Sequence, residues 1–184
     1  MPHIPSRYLA EGPRVGIRPF AYDDAAEFTA RARESKELHR PWLFPPDTAS
    51  AYAAYAGRLI EDPAKAGFLV CEKADGGSLA GFVNINNIVE GGFQCGAVGY
   101  GAFAHAAGRG IMREALDLVV GHAFGAMRLH RLEINVQPAN TASIALARSC
   151  GFRLEGFSPN MLYIDGAWRD HERWALTAEM RASG

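Results

Sequence analysis

Apolar and polar positions change their period several times along the chain, and each change marks an element. Val15 to Phe20 reads as a short strand, stopped by Pro19. Asp23 and Asp24 have helix-start chemistry, and apolar Ala26, Phe28 and Ala30 follow them. The prolines between Leu38 and Pro46 restrict both helix and ladder, so a loop is expected there. Asp47 or Thr48 can cap a second helix that runs to about Ile60. Two strands follow, Gly67 to Lys73 and Leu79 to Ile88, around the turn Ala74-Asp75-Gly76-Gly77. Gly91-Gly92 marks another turn, and Phe93 to Phe103 is a glycine-rich strand.

A helix opens at Gly108 to Gly110, with Ile111, Ala115, Leu118, Val119 and His122 at helical spacing. Arg131 to Val136 is a β-rich run. Asn140 has the chemistry to cap a helix that ends at Gly151. Phe152 to Phe157 and Ala167 to Leu176 read as closing strands, joined through Ile164-Asp165-Gly166. Helices come first, then antiparallel-type strands, then strand and helix in alternation. This order predicts one α+β domain over residues 1–184, built on a single mixed sheet.

Composition narrows the function classes. Hydrophobic residues make up 48% and charged residues 21% of the 184, the balance of a water-soluble globular chain able to bury a sizeable core. A formal net charge of -1 gives no global pull toward nucleic acid or an anionic membrane. The start, MPHIPSRYLAEGPR, lacks the apolar region of a secretory leader, and no apolar run is long enough to span a bilayer. Cys71, Cys95 and Cys150 are scattered and odd in number, which suggests reduced thiols and a cytoplasmic protein. The histidines show no HxxxH or HxH spacing, so no metal site is expected.

The most informative stretch is GYGAFAHAAGRGIMREAL, Gly99 to Leu116. A strand runs into Gly108-Arg109-Gly110 and straight on into a helix. Unpaired amides and the positive dipole end at a helix start favour a phosphate, glycines let the backbone approach it, and Arg109 adds a charge. On these three residues alone, a plain glycine-rich turn fits as well as a phosphate site. The glycine spacing does not match a dinucleotide fold, and the GK[ST] of a Walker loop is absent.

Wider blocks carry a resemblance. The HxxGxG spacing of His105 to Gly110 resembles the coenzyme pyrophosphate loop of the GNAT acetyltransferases, with His105 where Gln or Arg is usual. Gly99-Tyr100, GRGIMREA, LHRLEINVQPANTASIALARSCGFRLEG and YIDGAWRDHERWAL together resemble the ribosomal-protein alanine and serine N-acetyltransferase branch, as do the IRPF and HRPWLFPP segments. The resemblance covers about Val15 to Leu176. It implies a single GNAT domain, its mixed sheet splayed at the coenzyme site and flanked by helices. It implies acetyl-CoA as cosubstrate, no metal, and transfer of the acetyl group to a primary amine. The implied acceptor is the N-terminus of a protein such as a ribosomal protein. A small amine (antibiotic, polyamine or amino acid) is the alternative acceptor, and a non-catalytic acyl-CoA-binding domain is a third reading. Nothing in the sequence indicates the oligomeric state.

The resemblance also implies roles. Ala102, Phe103 and Ala104 would pair with the pantetheine arm as an added strand. His105, Ala106, Ala107, Gly108, Arg109, Gly110, Ile111 and Met112 would hold the pyrophosphate. Asn140 would bond the pantetheine while capping its helix. Ser143 would meet the leaving thiolate, because Ala147 stands where many relatives carry a general-acid Tyr; Tyr163 is the second candidate. Trp42, Asn86 and Asn87 would flank the acceptor channel. A general base is not legible: Leu162 stands where one branch member carries Glu, and Asp170 and His171 are as well explained by structure. Cys150 could carry an acetyl group in a two-step route, but a buried, inert thiol is the better reading.

Overall fold

The computed structural model describes residues 7–183. Met1 to Ser6, part of the stretch read as lacking a leader, lie outside them.

One eight-stranded sheet runs through the molecule. Its strands are β1 (Ala10–Glu11), β2 (Val15–Pro19), β3 (Ala66–Glu72), β4 (Ser78–Val89), β5 (Cys95–Ala102), β6 (Arg131–Val136), β7 (Arg153–Ile164) and β8 (Ala167–Thr177). They lie in the order β1-β2-β3-β4-β5-β6-β8-β7, and only β5 and β6 are parallel. Successive side chains of a strand face opposite sides, so β3 feeds two cores. Phe68 and Val70 join a cluster with Ile111, Ala115, Leu116 and Val119, and Leu69 and Cys71 join one with Phe28, Tyr52 and Phe103. Helices α1 (Ala25–Glu34) and α3 (Ala49–Glu61) therefore cover one face, and α4 (Ile111–Phe124) and α5 (Thr141–Ser149) the other. Two shorter α-helices, α2 (Lys36–His39) and α6 (Ala178–Ala182), also lie among the described residues. No helix among the described residues is long and apolar enough to cross a membrane.

Three expectations needed correction. Leu38 and His39 are not loop but the end of α2, and the chain turns extended at Arg40 (φ -75°, ψ 143°), as a residue before proline must. On α4 the fully buried stripe is Ile111, Met112, Ala115, Leu116, Val119, Val120 and Ala123, while Leu118 and His122 lie at its margin. The strand expected to stop at Phe157 continues to Ile164. Ser158-Pro159-Asn160 reads as a breaker, but it forms an irregularity in an edge strand, where a proline costs no ladder bond.

Candidate active site

The parallel pair β5/β6 is the weak seam of the sheet. Its register covers Cys95↔Arg131, Gly96↔Leu132 and Ala97↔Glu133 and then stops, so the rest of β5 diverges from β6. The Phe103 amide donates to Ala80 O at 2.9 Å, and Gln94 O accepts from the His130 and Arg131 amides on the β6 side. Alternation along a ladder then turns the backbone groups of Val98, Tyr100 and Ala102 into the opening. A free strand edge in a splayed sheet is a template for an extended, amide-bearing ligand.

The edge therefore lies earlier than Ala102 to Ala104. Ala102 belongs to it, though its carbonyl is already bound by His39 Nε2 at 2.7 Å. Phe103 is fully buried against Phe28 and Phe82, and its carbonyl accepts from the Ala106 amide. The Ala104 amide donates to Ser35 Oγ at 2.9 Å.

A cleft of about 440 Å³ opens at the seam. One wall is Tyr100, Gly101 and Ala102; the floor is Ala106 to Gly108, Gly110 and the first turn of α4. Asn140, Ala142, Ser143 and Leu146 of α5 form the second wall, and Leu38, His39, Trp42 and Leu43 the rim. No Asp or Glu lines it among the described residues.

The floor has the chemistry of an anion site. Gly108 (φ +71°) and Gly110 (φ +74°) adopt left-handed backbone that a side chain resists. First-turn amides of α4 have no intrahelical acceptor. Two of the loop's carbonyls are already occupied by Arg14, whose Nη1 and Nη2 bond Arg109 O at 2.8 Å and Gly110 O at 3.1 Å. Glu114 locks that arrangement by accepting from the Arg14 amide at 2.8 Å and from Arg14 Nε at 3.0 Å. A phosphate on this floor would meet the first-turn amides with those two carbonyls already satisfied.

The arginine that lines the cleft is not the one singled out in the sequence. Arg109 grips Glu72 through two bonds, at 2.6 and 3.0 Å, and does not line the cleft. Arg113, in the first turn of α4, lines both the cleft and a second cavity of about 660 Å³ behind it, and has no salt-bridge partner among the described residues. Nothing in the motif distinguishes the two arginines; only the partner at Glu72 does. His105 is exposed and does not line the cleft.

At the second wall, Asn140 Oδ1 caps α5 by accepting from the Ser143 amide at 3.2 Å. Ser143 Oγ lies 2.8 Å from the Tyr100 hydroxyl, whose titration burial pushes up to about 12. Ala147 is wholly buried. Tyr163 stays outside the cleft, 63% exposed and edge-on to Trp168 at 5.6 Å on the closing hairpin. Asp170 is engaged by the Asn160 amide, and buried His171 donates from Nδ1 to Arg169 O, so neither reaches the cleft. On the acceptor side Trp42 lines the rim, whereas Asn86 and the exposed Asn87 (φ 52°) sit at a bulge of β4 away from it. The rim also holds His39, the first residue of the segment His39 to Pro46 that the resemblance places beside the acceptor channel. It is 3% exposed, its Nδ1 has no partner, and burial lowers its pKa.

Comparison with known proteins agrees with this architecture. The sequence profile of the acetyltransferase (GNAT) domain matches residues 14–153. The [ribosomal protein uS5]-alanine N-acetyltransferase of Escherichia coli is 31% identical over 170 residues, covering 89% of this chain and 88% of that protein. The structure of Mycobacterium smegmatis RimJ in complex with CoA-disulfide superposes with a TM-score of 0.84 at 30% identity, over 91% of this chain and 87% of that one. The spermidine N-acetyltransferase of Vibrio cholerae, in complex with CoA and spermine, shares the fold at a TM-score of 0.77 but only 18% identity, over 91% and 98% of the two chains. With the splayed sheet, the amide-lined loop and a profile match over most of its length, this chain belongs to the GNAT family of N-acetyltransferases.

Proposed function

We propose that the chain transfers the acetyl group of acetyl-CoA to the α-amine of a protein or peptide N-terminus. The observation that carries this reading is the lining of the cleft, which offers hydrogen-bonding groups and apolar walls but no carboxylate among the described residues. A polyamine would need acidic partners for its several charges. A lysine side chain, at pKa about 10.4, costs roughly 3.5 kcal/mol more to deprotonate than an α-amine at about 7.7–8.0. A site with no carboxylate base accordingly favours the weaker base. The name of the uS5-alanine N-acetyltransferase points the same way.

In this reading the pantetheine adds to the free edge at Tyr100 and Ala102. The diphosphate rests on the amides of Gly108 to Met112, with Arg113 supplying the charge. Asn140, while capping α5, offers its Nδ2 to the pantetheine. The bound acetyl-CoA supplies an activated thioester. The chain's own part is to hold amine and carbonyl in register, to offer a β5 amide to the developing oxyanion, and to present Ser143 to the sulfur. Transfer is direct, in a ternary complex. The three free cysteines fit a reducing, cytoplasmic setting.

A thiol-release assay tests the acceptor class. Peptides beginning with Ala, Ser or Met should react, and spermidine, aminoglycosides and peptides with a blocked N-terminus should not. Faster turnover with a polyamine than with any peptide would overturn the proposal.

A further inference from the structure

Tyr100 and Ser143 are brought together from opposite arms of the opening: Tyr100 from the free edge of β5, Ser143 from the first turn of α5, which follows β6. The Tyr100 hydroxyl lies 2.8 Å from Ser143 Oγ and 3.2 Å from Ser143 O. A phenol has one hydrogen to give. Within α5 the Ser143 carbonyl is already served by the helical bond from Ala147. One arrangement gives that hydrogen to Oγ, the shorter contact; the other gives it to Ser143 O and lets Oγ donate to the phenol. In the first arrangement the serine hydrogen is free for a ligand, with no other acceptor among the described residues, and the Ser143 side chain lines the cleft.

We propose that Tyr100 is a positioning residue: by donating to Ser143 Oγ it orients and polarises the serine O–H toward the sulfur of the departing coenzyme. This deepens, and rests on, the acetyl-transfer reading above. The amine nitrogen forms the C–N bond, the C–S bond breaks, and its electron pair stays on sulfur. The surplus proton of the amine goes to solvent. The thiolate needs a donor and not a full proton, because a thiol titrates near 8.5 while hydroxyls titrate far higher. A proton relay from Tyr100 would run steeply uphill, since burial keeps this phenol protonated up to about 12. A chain of O–H···O–H···S⁻ bonds strengthens each link without moving a proton.

The experiment is a double-mutant cycle of Tyr100→Phe and Ser143→Ala, read as kcat, as KM for acetyl-CoA, and as the thiol titration of bound coenzyme A by thiolate absorbance. Tyr100→Phe should lower kcat about threefold to tenfold with KM nearly unchanged, as expected for losing one neutral hydrogen bond that supports the serine. It should also move the bound thiol's titration upward. Both effects should vanish in the Ser143→Ala background. Equal losses in both backgrounds, or none in either, would overturn the proposal. Should Tyr100→Phe fail to fold, fluorotyrosine at position 100 keeps the ring while strengthening the donor; it should lower the bound thiol's titration only while Ser143 is present, and a shift that is absent or independent of Ser143 overturns the proposal. Wild-type protein inert toward every acceptor would sink the functional reading instead, whereas an active wild type with an additive cycle sinks only the role of Tyr100.

Discussion

Arg109 and Arg113 stand four residues apart on either side of a helix start, and their surroundings separate them. Arg109 is neutralised by Glu72, whereas Arg113 faces the cleft unpaired. Arg113→Ala should therefore weaken coenzyme A binding about tenfold, an effect that shrinks at high salt, and Arg109→Ala should weaken it less. Calorimetry at two salt concentrations checks this; the reverse order would return the phosphate to Arg109. Gly110→Val should abolish measurable binding, because its φ of +74° strains a β-branched residue and its Cβ would crowd Arg14 Nη2 at 3.3 Å, on the guanidinium that holds the Arg109 and Gly110 carbonyls. Ser143→Ala should cost about tenfold to a hundredfold in kcat and little in KM, since a thiolate partner acts mainly in the transition state. Near-normal kcat in that variant would leave the thiolate to water.

At the scale of elements, α5 is held by its cap. Asn140→Ala should cost about 1 kcal/mol of stability, measured by urea unfolding. Asn140→Ser keeps a capping oxygen but loses the Nδ2 donors. It should restore the stability and not the coenzyme affinity; recovery of both would make Asn140 a cap alone. This cap was legible from the sequence because N-cap chemistry is local. The long β7/β8 hairpin was only half legible: Asp165 and Gly166 marked its turn, yet the irregularity around Pro159 imitates a loop until β8 is seen beside it. Tyr163 suffered from the same limit, since a residue's distance from a cleft depends on where a whole hairpin projects.

The molecule as a whole links its stability to pH through His39. Its Nε2 binds the Ala102 carbonyl, its Nδ1 is buried without a partner, and burial lowers its pKa. Below the unfolded value of about 6.5 the unfolded chain binds the extra proton and the folded one resists it. Stability should thus fall as pH drops from 7, by no more than about 1.4 kcal/mol per pH unit for this group. His122, also lowered by burial, adds in the same sense. His39→Gln keeps a donor for Ala102 and removes one titration, so its melting temperature should decline less between pH 7 and 5.5. An identical decline would mean that His39 opens to solvent on protonation. The route of transfer is a whole-molecule question too. Burial pushes the Cys150 thiol up, and Cys150 lines the rear cavity and not the cleft. Cys150→Ala should keep kcat; a dead but folded variant, with acetyl trapped on Cys150 by mass spectrometry, would replace direct transfer with a two-step route.

What the sequence determined by itself is whatever rests on neighbours along the chain: the strand-to-helix turn at Gly108 and Gly110, the cap at Asn140, a cap at Asp47 or Thr48 that the structure resolves to Thr48, and the family resemblance carried by contiguous blocks. The tertiary structure decided whatever depends on partners remote in sequence. Glu72 takes Arg109 out of the cleft across 37 positions, His39 reaches Ala102 across 63, and Tyr100 meets Ser143 across 43. A backbone turn is specified by a few adjacent dihedrals, but the direction and charge state of a long side chain are fixed by whatever the fold packs against it.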